Sequence, residues 1–157
     1  MGPSSAMLIV ENARQYLDAF IQLNQQWIVR YFELEDADKQ IAANPYQIVE
    51  QGGYIFTLLD NDEVRGVCAL CNDGEGRFEL AKMAVVPEFQ GQGYGDRLIE
   101  HCLDKLRAIH ASSVYLVSNT SLTPAITLYK KHQFITLSVG QHPFYKRGDI
   151  VMQRDLP

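Results

Sequence analysis

The chain opens with helical patterning of its apolar residues. A short apolar run, Met7 to Val10, predicts a first strand, and the apolar positions after it recur every three or four residues. This spacing predicts one long amphipathic helix. Its apolar positions are Ala13, Tyr16, Leu17, Phe20, Ile21, Trp27, Ile28 and Tyr31. Asp36 to Ala43 predicts a second, short helix that ends before Pro45, because the residue before a proline avoids helical geometry.

From Tyr54 the pattern changes to strands separated by turn residues. The segments YIFTLLD, VRGVCAL and FELAKMAVV are joined by Asn61-Asp62 and by the turn-rich NDGEGR. Because these connections are short, the three strands are expected to form an antiparallel meander.

The remainder alternates helices and strands. Helical spacing returns over Gly95 to Ile109, and Thr123-Pro124 predicts a helix start with Thr123 as the capping hydroxyl. The predicted strands are Ser113 to Ser118, Phe134 to Val139 and Asp149 to Gln153. The element order is therefore β-α-α-β-β-β-α-β-α-β-β, an α/β chain with one mixed sheet in a single domain of residues 1–157.

Composition and charge exclude several classes of protein. With 14 Lys and Arg against 19 Asp and Glu, the net charge of −5 disfavours nucleic acid and anionic membrane surfaces as partners. No apolar run reaches the length of a spanning helix, and Met1 to Val10 does not look like a signal peptide, so a cytoplasmic protein is expected.

Cysteine and histidine usage predicts neither disulfides nor a metal site. The chain has three cysteines, and Cys68 and Cys71 are expected to point to opposite faces of one strand. The four histidines show no metal-ligand spacing. The basic pairs Lys130-Lys131 and Lys146-Arg147 are interpreted as solvated charge.

The glycine-rich segment QGQGYG, Gln90 to Gly95, lies between a strand and a helix. Outward backbone N–H groups and the positive end of the helix dipole would meet there, which predicts a site for phosphate or pyrophosphate. It is not the dinucleotide fingerprint, because Asp96 stands where a third glycine is needed, and the Gly-Lys-Ser/Thr ending of a P-loop is absent. A plain glycine-rich turn is the alternative.

Gln90-x-x-Gly93-x-Gly95 after an apolar strand resembles the coenzyme A loop of the GNAT N-acetyltransferases. Further along, Asn119 and the segment PAITLYKKHQF resemble that family's Asn…Ala-x-x-Leu-Tyr-x-x-x-Gly-Phe pattern, so the resemblance covers Tyr54 to Leu156. It implies a GNAT-like fold with acetyl-CoA as co-substrate and direct acetyl transfer to a primary amine. The residues that it assigns to coenzyme binding are Val85, Gln90, Gly91, Gln92, Gly93, Tyr94, Gly95 and Asn119.

The same resemblance implies catalytic roles. Glu79 stands where several family members carry a base carboxylate, Tyr129 matches the tyrosine that would protonate the leaving thiolate, and the Val85 amide would stabilise the oxyanion. Glu79 could instead be a solvated strand-end glutamate, and Tyr129 a core aromatic residue.

Two positions depart from the family pattern. Gln133 replaces a glycine at a helix end where left-handed geometry is expected, and Asp96 puts a negative charge beside the phosphate loop.

The acceptor is assigned by composition only. Aromatic and acidic residues suited to a cationic amine are Trp27, Tyr31, Glu33, Glu35 and Tyr145. A small amine, a peptide N-terminus and a protein lysine all stay open, as do a monomer and a homodimer. A catalytically silent acyl-CoA-binding module is the alternative function.

Overall fold

A computed structural model describes residues 7–157 and contains seven strands and five α-helices. The strands and four of the helices follow the predicted order, and a fifth, short helix is added between the second helix and the second strand. Expectations for the first six residues lie outside the described part. The helices are α1 (Leu17–Tyr31), α2 (Asp36–Ala43), α3 (Gln47–Glu50), α4 (Tyr94–Ala108) and α5 (Thr123–Lys131). The strands are β1 (Met7–Glu11), β2 (Tyr54–Asp60), β3 (Glu63–Asn72), β4 (Arg77–Val85), β5 (Ser113–Ser118), β6 (Ile135–Val139) and β7 (Ile150–Asp155).

All seven strands form one sheet in the order β1-β2-β3-β4-β5-β7-β6. Every neighbouring pair is antiparallel except β4 and β5, which are parallel. The β4–β5 pairing extends only from Arg77 opposite Ser113 to Glu79 opposite Tyr115. Beyond Glu79 the two strands diverge, so the sheet opens into a wedge at its centre.

A bulge re-aims one side chain of β4 beside this wedge. The register with β3 shifts between the pairs Ala69–Ala81 and Val67–Ala84, and Lys82 has a φ of 57°. Positive φ is uncommon for residues with a Cβ, and a bulge bends the strand that carries it. Lys82 therefore leaves the regular alternation of the strand.

The sheet carries a core on each face. On one face α4 packs against β2, β3 and β4 through residues such as Phe56, Leu98 and Leu106. On the other face α1 and α3 cover the same strands through Phe20 and Ile48.

The two cysteines of β3 lie on opposite faces, as predicted. Cys68 faces α4, where its Sγ lies 3.4 Å from Sγ of Cys102, and Cys71 packs against the other core. The three thiols are free.

Two details of the helices differ from the sequence prediction. Thr123 is the first residue of α5 rather than its cap; Leu122 holds the cap position and no side chain caps the helix. The short helix α3 was not predicted, because its four residues are too few to show a period. Within residues 7–157, no helix combines the length and apolarity needed to cross a membrane.

Candidate active site

A cavity of about 110 Å³ opens where β4 and β5 diverge. Residues of β4, β5, α1, α5 and the loop between β6 and β7 line it. Its lining comprises Asn24, Trp27, Ile28, Phe32, Glu79, Leu80, Ala81, Lys82, Met83, Val117, Ser118, Asn119, Leu122, Ala125, Tyr129, Tyr145, Arg147 and Gly148. The cavity therefore brings together side chains from both ends of the chain.

Glu79 lies in this cavity, at the last β4 position that pairs with β5. Burial raises the pKa of its carboxyl to about 7, and the negative charge of Asp73 acts in the same direction. Lys82 and the Tyr115 phenol oppose that rise. Near neutral pH the carboxyl therefore exists in both forms, which suits a group that must accept and release a proton.

The Tyr129 ring, from α5, lines the same cavity and packs against Phe134 with ring centroids 6.1 Å apart. Burial raises the pKa of the Tyr129 hydroxyl to about 12, so it stays protonated and available as a donor. Full proton transfer to a thiolate of ordinary pKa would cost about 5 kcal/mol, which is more than the reference tyrosine pKa implies.

The loop from Gln90 to Gly93 connects β4 to the start of α4. Gly91 and Gly93 have φ values of 80° and 87°, and no heavy atom lies within 4 Å of a Cβ built at either position. The N–H of Arg97 donates to the carbonyl of Gly93 at 3.1 Å, as the first bond of α4. The amides just before Arg97 are the unpaired donors of a helix N-terminus, so the loop has the character of an anion site.

The backbone of Val85 faces the wedge between the diverging strands. The N–H of Val86 donates to Arg65 O of β3 at 2.8 Å, and successive amides of an extended chain point to opposite sides. The N–H of Val85 is thereby directed away from β3, toward the gap. Gln90 Nε2 donates to Val85 O at 3.3 Å and ties the loop to the strand.

The two departures from the family pattern are both accommodated. Gln133 has a φ of 68°, so it adopts the left-handed geometry expected at that helix end without a glycine. Asp96 lies 2.8 Å from His132 Nε2 and 3.0 Å from Lys131 Nζ. The hydrogen bonds from Lys131 and His132 lower the pKa of the Asp96 carboxyl, and the charge of Lys131 compensates that of Asp96 beside the loop.

Two residues assigned to coenzyme binding have side chains engaged elsewhere. Asn119 donates through Nδ2 to Arg147 O at 2.7 Å and accepts from Ser121 N at 2.9 Å, so its amide ties the connection between β5 and α5 to the β6–β7 loop. The buried Tyr94 hydroxyl donates to Asp60 Oδ2 at 2.8 Å. The Tyr94 side chain is thus occupied within the core, and its backbone amide lies at the first position of α4.

The residues assigned to the acceptor separate into two groups. Trp27 and Tyr145 line the cavity. Tyr31 packs against Trp27 with the rings tilted and their centroids 5.4 Å apart, but it is not part of the lining. Glu33 lies in a separate outer groove. Glu35 accepts a hydrogen bond from Arg147.

Sequence reasoning missed a buried charge cluster that borders the cavity, formed by Glu35, Asp38, Lys82 and Arg147 and here called the Asp38 cluster. Asp38 is 4% exposed; it accepts from Arg147 Nη1 and Nη2 at 2.7 and 2.8 Å and from Lys82 Nζ at 2.7 Å. Although burial acts to raise it, these two cations hold the pKa of the Asp38 carboxyl well below its usual range. Arg147 also donates to Glu35 Oε2 at 3.0 Å.

The interpretation of Arg147 as solvated charge is therefore wrong. The available signal was Lys82 itself, a charged residue within the apolar run of β4. Metal-like clusters of three or more His, Cys, Asp or Glu side chains are absent from the described residues.

A family model described as the acetyltransferase (GNAT) family matches residues 18–134. This span contains the loop, Glu79 and Tyr129.

Curated relatives match part of the chain. An amino-acid acetyltransferase of Neisseria meningitidis is 33% identical over 96 residues, which are 60% of this chain and 21% of that protein. An uncharacterised N-acetyltransferase of Bacillus subtilis is 25% identical over 95 residues, or 60% of this chain and 61% of that protein. The matched region thus spans about a fifth of the length of the amino-acid acetyltransferases.

Solved structures match almost the entire chain. A GNAT-family acetyltransferase of Staphylococcus aureus superposes with a TM-score of 0.86 at 18% identity, covering 97% of this chain and 100% of that chain. The spermidine N-acetyltransferase of Vibrio cholerae, solved with CoA and spermine, has a TM-score of 0.75 at 20% identity and covers 95% of each chain. At these identities the likeness concerns the fold.

Proposed function

Since the chain belongs to the GNAT acetyltransferase family, we propose that it transfers an acetyl group from acetyl-CoA directly to a primary amine. The observation that carries this proposal is one shared cavity. Glu79, with a pKa near neutrality, and Tyr129, which stays protonated, line the same space beside the wedge between β4 and β5.

The anion site and the wedge supply the groups that acetyl-CoA needs. Outward amides from Gln92 to Gly95 can hold the pyrophosphate without a lysine, because they lie at the start of α4. The Val85 N–H faces the wedge and can donate to the thioester oxygen as negative charge develops there.

The proposed reaction balances as follows. The amine nitrogen bonds to the thioester carbonyl carbon, and the proton lost from nitrogen goes to the Glu79 carboxylate. When the carbon–sulfur bond breaks, the thiolate takes a proton from the Tyr129 hydroxyl, and Tyr129 is reprotonated from solvent. The products are an N-acetyl amide and free coenzyme A, and Glu79 releases its proton to water.

A silent acyl-CoA-binding module is the second candidate. It would keep the loop while its Glu79 stayed solvated. The cavity position and raised pKa of Glu79 favour the enzyme, because both suit a proton acceptor.

Thiol release from acetyl-CoA in the presence of a panel of primary amines tests the proposal. Glu79→Gln should slow the chemical step by about 10² or more, with coenzyme affinity unchanged in calorimetry. Glu100→Gln, the same change at an exposed position of α4, is the matched control and should keep the rate. Coenzyme binding without amine-dependent thiol release in the wild type would instead identify the module.

A further inference from the structure

Both basic side chains that line the cavity form ion pairs with carboxylates of the same chain. Of the described lining residues, Lys82 and Arg147 are the basic ones. The carboxylate of Asp38 lies between them and accepts from both, and Glu35 provides a second carboxylate for Arg147. The Asp38 cluster thus contains two positive and two negative groups and has no net charge.

Because the Asp38 cluster is buried, a carboxylate from solvent cannot easily replace Asp38 as the partner of Lys82 and Arg147. The side chain of Asp38 is 2% exposed, and those of Lys82 and Arg147 are 11% and 16% exposed. To pair with Lys82 or Arg147, a carboxylate arriving from solvent would have to displace the buried Asp38 carboxylate, which is hydrogen-bonded to both cations. The displaced Asp38 would then remain as an uncompensated buried charge. The remaining ionisable acid in the lining is Glu79, which carries negative charge in the form that accepts the proton.

We infer, on the basis of the proposed function, that the acceptor is an amine whose neighbouring carbon carries no free carboxylate. In a free amino acid the carboxylate carbon is two bonds from the attacking nitrogen, so it must enter the cavity along with the amine. There it would lose its hydration beside Glu79 and meet two cations that are already paired. The cavity therefore selects against free α-amino acids.

The other walls of the cavity accept the body of such an amine. Trp27, Phe32 and Tyr145 contribute aromatic side chains to the same lining as Glu79. Aromatic faces bind apolar groups and cations, and they repel a carboxylate. Two kinds of amine meet this condition: amines attached to an apolar or cationic group, and amino acids whose carboxyl group is an amide.

Matched acceptor pairs that differ in one charge test the inference in the full chain. Phenylalanine, leucine and alanine are compared with their carboxamides in the thiol-release assay, with rates expressed per unprotonated amine. We expect kcat/KM for each carboxamide to exceed that for its amino acid by about 100-fold, since like-charge contacts of this kind are strongly disfavoured. Amino acids used within threefold of their carboxamides would overturn the inference while the proposed function stands.

Variants of the Asp38 cluster separate charge pairing from cavity shape. Asp38→Asn leaves the two cations with surplus positive charge, so the carboxamide preference should fall by about tenfold or more. Asp36→Asn, on the exposed side of the same helix, makes the same change in net charge and should leave the preference as it is. If circular dichroism shows that Asp38→Asn is unfolded, Glu35→Gln removes one charge of the same cluster and takes its place.

The possible failures are distinguishable. Absence of thiol release with every amine would overturn the proposed function, and the inference with it. An equal loss of preference in Asp36→Asn and Asp38→Asn would show that overall charge, not the Asp38 cluster, excludes the carboxylate, and would overturn the assignment.

Discussion

At the scale of single residues, burial raises the pKa of both Glu79 and Tyr129, but the two residues end in different protonation states near neutral pH. For Glu79 it brings the pKa to about 7, where a carboxyl can exchange a proton. For Tyr129 it brings the pKa to about 12, which keeps the hydroxyl protonated. Tyr129 is thus suited to stabilise the departing sulfur by a hydrogen bond whose proton moves as the carbon–sulfur bond breaks.

Tyr129→Phe tests that role because it keeps the ring that packs against Phe134. We expect kcat to fall by about 10- to 10³-fold with little change in coenzyme affinity, since the lost interaction belongs to the transition state. Because the pKa of Tyr129 is about 12, the ratio of wild-type to variant kcat should stay constant between pH 7 and pH 10. Steady-state kinetics across that range is the measurement.

Tyr54→Phe is the matched control, since Tyr54 is a tyrosine that packs outside the cavity lining. A kcat ratio that falls steeply with pH below 10 would contradict the raised pKa of Tyr129. A melting temperature that decreases together with kcat would place Tyr129 among the structural residues instead.

The predictability of the site differs from residue to residue. Glu79, Tyr129 and the loop were assigned because their local sequence resembles a known pattern; the structure places Glu79 and Tyr129 in one cavity and the loop at the start of α4. Asp38 and Arg147 are 109 positions apart, so no local pattern could pair them. Asp38 also accepts from the Glu35 N–H in a capping box of α2, a local role that does not indicate its pairing with Arg147.

At the scale of elements, periodicity and turn chemistry predicted most boundaries. The bounds of α2, β2 and β5 agree with the sequence prediction to the residue. Two features differ from the prediction, and each has a physical cause. The β4 bulge at Lys82 could not be predicted because it depends on the register with β3, and α5 lacks its predicted side-chain cap because the helix begins at Thr123 itself.

The junction of the loop with α4 offers a test with an internal control. Gly93 and Gly74 both have a φ of 87°, and a Cβ at either position would meet no atom of the chain within 4 Å. Alanine at either site should therefore cost a similar 1–2 kcal/mol of folding stability, on the order of the usual left-handed penalty. Only Gly93→Ala should weaken coenzyme A binding, by about tenfold or more, because its methyl group occupies the space that the pyrophosphate approaches.

Calorimetric titration with coenzyme A, together with thermal unfolding of both variants, checks this prediction. Equal coenzyme affinities in Gly93→Ala and Gly74→Ala would remove the anion site from the start of α4. A much larger loss of stability in Gly93→Ala than in Gly74→Ala would attribute weaker binding to a distorted helix start.

At the scale of the whole molecule, the Asp38 cluster joins parts that the two cores do not. It connects α2, the β4 bulge and the loop between β6 and β7 across one end of the cavity. The wedge beside it results from the end of β4–β5 pairing after Glu79. The candidate active-site cavity is therefore located where β4 and β5 no longer pair and where charged groups are buried, so the site is expected to reduce the stability of the fold.

The pH dependence of stability can measure this reduction at Glu79. Its pKa is about 7 in the folded chain against an ordinary value of 4.5, so the folded state disfavours the charged carboxyl. A raised folded pKa means that stability is complete below pH 4.5 and falls as pH increases to about 7, by up to about 3 kcal/mol. Glu79→Gln cannot ionise and should escape that loss, so its melting temperature should exceed that of the wild type by several degrees at pH 8.

Calorimetric scans of both proteins at pH 4.5, 6 and 8 check the sign. The difference in melting temperature should be near zero at pH 4.5 and should grow toward pH 8, whereas Glu100→Gln, at an exposed position, should follow the wild type throughout. A difference that is the same at all three pH values would mean that Glu79 affects packing rather than charge. With the expected result, the carboxylate that lowers stability above neutral pH is the same group that we propose as the proton acceptor, because burial causes both the loss of stability and the raised pKa.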